Sequence, residues 1–522
     1  MKRRCVRRAA AATSSDPVHE PDFDSFARDW QAGRPVLVTT RLIADLETPV
    51  SAYLKLSAGR AGQSFLLESV EGGATRGRYS MIGLDPDVIW RARGDSSEIN
   101  RAVRAGGETF TPCPGKPLDV LRALIAESAI PAAPGLPPMA AGVFGYLGYD
   151  MVRQMERLAP PKPDPIGVPD AVMMRPTLIV VFDSVKDEII VVTPARPAPG
   201  VSANAAYESA CARLDAVVAV LEGPLAHEQP RADAHLLAEA PRSNTSEARF
   251  LDMVERARDY IRAGDIFQVV LSQRFSAPFA LPAFSLYRAL RRVNPAPFLC
   301  YLDFGGFQIV CSSPEILVRV RDGKVSIRPI AGTRWRGRTP AEDEALAAEL
   351  LADEKERAEH LMLLDLGRND VGRVSEMGSV EVTDQFFIER YSHVMHIVSN
   401  VEGRLDPAHD VIDALCAGFP AGTVSGAPKV RAMEIIDELE TDKRGIYAGC
   451  IGYFGASGEM DTCIVLRTSV VKDGVMHVQA GAGIVYDSVP KSEQTECVNK
   501  AQALFRAAEE AVRFATRPKR GQ

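Results

Sequence analysis

Apolar positions along this chain repeat with two periods, and the alternation between them lays out its elements. After Asn244 the spacing is helical: Phe250, Met253, Ala257 and Ile261 form one stripe, Thr245 or Ser246 can cap it, and Glu247 sits in the first turn. Gly264-Asp265 ends the helix, and 266–275 reads as a strand. Further strands are expected at 306–311, 316–320, 325–328, 449–454, 462–471 and 475–480. Helices are expected at about 340–366, 409–417, 428–439 and 490–515. Earlier in the chain, short strands are predicted at 64–67, 177–182 and 188–192. The stretch 196–243, with ARPAPG at its start and EAPRSN at its end, reads as a linker containing one helix at 206–221. Four regions follow: a tail at 1–16, an N-terminal region at 17–195, the linker at 196–243 and a C-terminal domain at 244–516. Strands clustered with helices, without strict β-α-β alternation, predict an α+β fold with largely antiparallel sheet.

Composition narrows the class. The 522 residues are 25% charged and 46% hydrophobic, as in ordinary globular proteins. A net charge of -7 argues against nucleic acid or an anionic membrane as partner. No apolar run approaches the roughly 20 residues of a membrane span. The nine cysteines never form a CxxC, which predicts reduced thiols and a cytoplasmic setting. Cys300, Cys311, Cys416, Cys450 and Cys463 read as small buried hydrophobes. The Arg-, Ala- and Ser-rich opening, MKRRCVRRAAAATSS, reads as a disordered tail or an organelle transit peptide.

Four constellations could carry chemistry. Glu356 and Glu359, and again Glu493 and Glu496, are three apart, so each pair shares a helix face. Carboxylate oxygens from two helices suit Mg²⁺, although ExxE alone is commonplace on solvated helices. Gly-rich turns at PIAGTR, PAGTVSGAPK and AGAG can bring backbone N–H groups close to an anion, although such turns also simply close hairpins. In YSHVMH, one of the two histidines is expected to be a packing residue and the other an acid–base group.

Together these stretches resemble the chorismate-utilising enzymes. PIAGTRWRG, DEKERAEHLMLLDLGRND, YSHVMHIVS, FPAGTVSGAPK and GAGIVYDSVPKSEQTECVNK occur in that family's order, and the resemblance spans about 246–514. It implies two packed, largely antiparallel β-sheets with helices outside and the active site between the sheets. It also implies Mg²⁺ bound directly by Glu359 and Glu496, with Glu356 and Glu493 holding its waters. Gly332, Thr333, Thr423, Gly481, Ala482 and Gly483 would complete the site for the ring carboxylate of chorismate. Tyr447 and Arg467 would hold the enolpyruvyl group. Glu315 would be the acid that meets the departing hydroxyl, assisted by His396, with Thr423 counted among the catalytic residues.

Two positions choose the branch. Ala331 stands where the 4-aminobenzoate branch has a nucleophilic lysine, and Gln268 where the isochorismate branch has a base lysine. External ammonia as nucleophile, and anthranilate as product, fit best. An enzyme of the 4-amino-4-deoxychorismate branch, or one stopping at 2-amino-2-deoxyisochorismate, is the alternative; from another class, so is a silent tryptophan sensor. LLES (with Glu68 and Ser69) and NPAPFL (with Pro297, Phe298 and Leu299) resemble the two halves of a tryptophan feedback site, with Ile451 and Tyr453 on its wall. No cysteine sits in the tight turn of a glutamine amidotransferase, so ammonia from glutamine implies a partner subunit.

Overall fold

The computed structural model describes residues 19–60, 62–71, 75–107, 109–226, 240–391 and 394–516. The expected tail at 1–16, and His393 of YSHVMH, lie outside them.

All strand pairings among the described residues belong to one antiparallel hydrogen-bonded network. From Gln268–Pro278 it runs through Val475–Ile484, Thr468–Lys472, Gln308–Ser313, Phe298–Asp303 and Ser64–Glu71 to the long strand Thr75–Arg93. It continues through Ala171–Asp183, Gly142–Leu147, Cys450–Gly455, Met460–Ile464 and Ile316–Arg321 to Lys324–Ile327 and Val394–Arg404. Strands from both sides of the linker therefore share the sheet.

The network folds back on itself into two leaves. Phe65, Leu67, Phe144, Cys300, Cys311, Ile451 and Cys463 come from strands far apart along it, yet they pack into one inner core. Outside one leaf, Ala283–Val293, Pro490–Thr516 and Ala203–Glu222 cover a second core; a third is covered by Val411–Gly418 on Ile316–Arg321 of the other leaf and by Glu247–Ala263 and Lys429–Leu439 on Gln268–Pro278. Each large side chain removed from water in these cores contributes about 1.5–3 kcal/mol, which is what holds two helical layers against the leaves.

The Ser246 cap and the Gly264 terminus of the helix Glu247–Ala263 form as expected, with Gly264 in the left-handed conformation. Two expected elements split. The helix at 340–366 becomes Pro340–Ala352 and Glu354–Gly372, because Asp353 ends the first and its carboxylate accepts from the N–H groups of Lys355 and Glu356 to cap the second. The strand at 462–471 becomes Met460–Ile464 and Thr468–Lys472, broken where Arg467 takes a left-handed φ of 48°.

Candidate functional site

That break and a second one lie side by side. Gln308–Ser313 pairs with Thr468–Lys472 in one leaf, while Ile316–Arg321 pairs with Met460–Ile464 in the other. The chain thus crosses between the leaves twice, once through Pro314-Glu315 and once through Val465–Arg467. Backbone contacts lock the crossings together: Ile464 N–H donates to Glu315 O at 3.0 Å, and Ser312 N–H to Arg467 O at 3.2 Å. Ser313 Oγ donates to Ile464 O at 2.6 Å.

Glu315 and Arg467 are therefore fixed neighbours. Burial pushes the Glu315 carboxyl up to about 8, against the opposing effects of the Thr423 hydroxyl, the Ile330 N–H and Arg467. The Thr423 hydroxyl is buried toward that carboxyl without a hydrogen bond of good geometry. Desolvation lowers the pKa of Arg467, which forms no ion pair among the described residues although Glu315 and Tyr391 lie near. A desolvated, unpaired guanidinium on a conformation few side chains adopt is suited to an anionic guest.

His396 stands on Val394–Arg404, opposite Thr333 in the register with Ile330–Trp335. Its Nδ1 is 2.8 Å from Gly332 O and 3.1 Å from Thr333 Oγ1, and burial lowers its pKa to about 4. Gly332 has φ 70°, and a Cβ there would lie 3.1 Å from Glu356 Oε2, so its backbone borders both the histidine and a carboxylate.

The AGAG segment borders the other carboxylates. A Cβ on Gly483 would sit 2.7 Å from Gln268 Nε2, and that amide donates to Glu359 Oε1 at 3.3 Å. A Cβ on Gly481 would sit 2.9 Å from the Tyr447 hydroxyl. The Gly481 carbonyl accepts from Lys500, whose ammonium also pairs with Glu496 at 2.6 Å. The Ala482 methyl is buried in the apolar core, so only its backbone can face a ligand.

Glu356 and Glu359 project from Glu354–Gly372, and Glu493 and Glu496 from Pro490–Thr516. Burial, then Glu356, then Glu496, raise the pKa of Glu359; burial, and also Glu496, raise that of Glu493. A carboxylate raised by burial and by neighbouring carboxylates is relieved by a divalent cation, and an all-oxygen donor set is the kind Mg²⁺ takes. No three of these carboxylates converge within 4.8 Å of one another, which leaves room for the waters that Mg²⁺ keeps. The residues fit the ion.

Among the described residues, the one cluster of three potential donors at that distance is Cys300, Cys311 and Cys463. All three are buried in the inner apolar core, as the sequence predicted for them and for Cys450. Cys416 is only partly buried, and Cys497, which sequence reasoning passed over, is fully so.

The expected tryptophan residues fall on two faces of one strand pair. Leu299 pairs with Glu68 and Phe298 with Ser69. Phe298 packs against the inner core with Ile451 and Tyr453. Leu299 packs in the outer core, where the buried Glu68 accepts from the Tyr287 hydroxyl and, at 2.9 and 3.0 Å, from Arg291. Pro297, just before this strand, is partly buried.

Sequence reasoning missed Arg444, Lys500 and Tyr391. Arg444 and Glu440 are spaced i, i+4, as in any surface pair, and only the neighbouring Tyr447 hinted at a buried role.

Comparison with known proteins places the chain in a family. Residues 85–506 match the chorismate binding enzyme family. The chain is 57% identical to anthranilate synthase component 1 of Cereibacter sphaeroides, over 96% of this chain and 99% of that one. It is 49% identical to the Pseudomonas aeruginosa component 1, over 95% and 100%. The crystal structure of anthranilate synthase component I from Streptococcus pneumoniae superposes with a TM-score of 0.74 at 39% identity, covering 89% of this chain and 98% of that one. The menaquinone-specific isochorismate synthase of Escherichia coli shares the fold, with a TM-score of 0.67 at 20% identity over 93% and 98%. Among the described residues no helix is long and apolar enough to cross a membrane. With the family matched over most of the chain and relatives this similar along nearly its whole length, the chain belongs to the chorismate binding enzymes and, within them, to the anthranilate synthase component 1 proteins.

Proposed function

We propose that the chain converts chorismate and ammonia to anthranilate, pyruvate and water, and that Glu315, Arg467 and His396 form its chemical centre. The observation that carries this reading is the Glu315 carboxyl, buried beside an unpaired arginine and raised to about 8. Ammonia adds at C2 of the ring while the C4 hydroxyl leaves. Hydroxide is a poor leaving group, and a carboxylic acid still protonated at neutral pH can deliver the proton that turns it into water. His396 is neutral at that pH, and its Nε2 is free to accept a proton in the step that expels pyruvate and makes the ring aromatic. Arg467 and Tyr447 receive the enolpyruvyl carboxylate. Gly332, Thr333 and Thr423, with the backbone of Gly481, Ala482 and Gly483, line the approach to the ring. Bound by Glu359 and Glu496, with Glu356 and Glu493 on its waters, Mg²⁺ would supply positive charge for the ring carboxylate.

Ammonia derives from glutamine on a separate amidotransferase subunit, and tryptophan inhibits through the region of Glu68, Ser69, Pro297, Phe298, Leu299, Ile451 and Tyr453. The component 1 names of the relatives support the partner subunit, and the LLES and NPAPFL motifs support the tryptophan site. The setting is the cytoplasm. The reaction is tested with ¹⁵N-ammonium: one labelled anthranilate should form per pyruvate released. Pyruvate without labelled anthranilate, or a labelled amino product without pyruvate, would overturn it.

A further inference from the structure

We infer that Arg444 is a positioning residue of this active site, acting through Tyr447 and through the two backbone segments that flank the substrate; the inference rests on the function proposed above. Arg444 is 3% exposed, and its guanidinium makes four hydrogen bonds to three separate parts of the chain. Nε and Nη2 donate to Glu440 at 3.0 and 2.6 Å. Nη1 donates to Val424 O at 2.7 Å, next to Thr423, and Nη2 to Val270 O at 2.6 Å. Val270 is the strand partner of Gly483. Glu440 extends the tie, because its Oε1 accepts from Ser272 N–H and Oγ at 2.8 and 2.9 Å, and Ser272 is the partner of Gly481.

The same guanidinium stands 5.6 Å from the centroid of the Tyr447 ring and 4.8 Å from that of Tyr149. Its loop is held from the far side, where Tyr149 N–H donates to Gly445 O at 2.7 Å and Gly445 N–H to Asp150 at 3.0 Å. One rigid fork thus fixes the Thr423 turn, the strand behind the AGAG backbone and the tyrosine ring relative to one another. Lysine cannot reproduce this, since a single ammonium lacks the planar array of donors. A buried ion pair is a poor device for stability alone, because its desolvation offsets most of its attraction. Holding three substrate-facing pieces in register is what the geometry does supply.

The test is a double-mutant cycle on ammonia-dependent anthranilate formation, with wild type, Arg444→Lys, Tyr447→Phe and the double variant, each also followed by thermal melting. Activity of wild type checks the underlying reading independently. Arg444→Lys should lower kcat/KM for chorismate about 10-fold or more, through both a higher KM and a lower kcat. In the Tyr447→Phe background the same change should cost at least about 2-fold less than in wild type, because the share carried by the tyrosine is already gone while the share carried by the two backbone segments remains. An active wild type with equal losses in both backgrounds, or with Arg444→Lys within about 2-fold of wild type, would overturn the inference. Should Arg444→Lys fail to fold, Glu440→Gln takes its place in the cycle, with a smaller loss in the same direction and the same criterion.

Discussion

The Nδ1 of His396 lies 2.8 Å from the carbonyl oxygen of Gly332, and this contact fixes the tautomer of the ring. A carbonyl can only accept, so Nδ1 carries the hydrogen and Nε2 keeps its lone pair. Burial lowers the pKa from 6.5 to about 4, so the ring is neutral throughout the working range. His396→Gln should reduce kcat about 10²-fold or more while the protein stays folded. The unfolded chain protonates this residue below about 6.5 and the folded one only near 4, so acidification through that window favours unfolding. Melting temperature should therefore fall less steeply between those values in His396→Gln than in wild type, and an identical slope would count against the assignment.

Glu315 has the opposite sign. Its folded pKa of about 8 lies above the usual 4.5, so its contribution to stability is complete below 4.5 and is lost as pH rises through 8. Near neutral pH, Glu315→Gln should melt at or above the wild-type temperature while losing about 10³-fold or more in kcat. Its chorismate affinity, measured calorimetrically, should change little. For wild type, kcat/KM should fall on the alkaline side with an apparent pKa near 8, where the acid loses its proton. Tight coupling of turnover to chorismate binding across these variants would refute the role.

The four glutamates make a separate claim about metal. Glu359 and Glu493 are raised first by burial and then by neighbouring carboxylates, a strain that Mg²⁺ relieves on binding. Added Mg²⁺ should raise the melting temperature of wild type, by the equivalent of about 2.7 kcal/mol at 100 times its Kd. Glu359→Gln and Glu496→Gln should abolish that shift along with activity. A shift that survives in both would place the ion elsewhere.

Glu68 predicts a regulatory phenotype. It accepts from Tyr287 and Arg291 beneath the helix Ala283–Val293, on the face opposite Tyr453. Glu68→Ala leaves the buried Tyr287 hydroxyl without its acceptor and should cost about 2–4 kcal/mol in denaturant titrations. Tryptophan inhibition should weaken at least about 10-fold, with chorismate turnover kept. Unchanged inhibition would remove this residue from the feedback site.

The elements richest in local signal were the most legible. The helix Glu247–Ala263 carries a serine cap, an apolar stripe and a left-handed glycine, and each acts locally, so its bounds followed from sequence. The breaks at Asp353 and Arg467 did not. Asp353 sits in an unbroken helical pattern and ends a helix only because its side chain caps the next one. Arg467 lies among strand-forming residues, and its reversal is imposed by the crossing between leaves, a tertiary demand with no local signature. The long strand Thr75–Arg93 was not among the expected elements, and Gly77, Gly83 and Pro86 interrupt its strand pattern. Glycines 77 and 83 are instead required by the close approach of Ser69 and Phe65. Of the site, the motif residues were legible as types, but the contacts that join them were not. That Gly483 makes room for Gln268, and Gln268 reaches Glu359, depends on strands and helices more than 90 residues apart.

The most direct measurement mixes the purified chain alone with chorismate, Mg²⁺ and an ammonium salt at slightly alkaline pH and follows anthranilate fluorescence. Fluorescence that requires both Mg²⁺ and ammonium, and that falls when tryptophan is added, is the predicted result. Chorismate consumed without anthranilate, or no consumption under these conditions, would contradict the account.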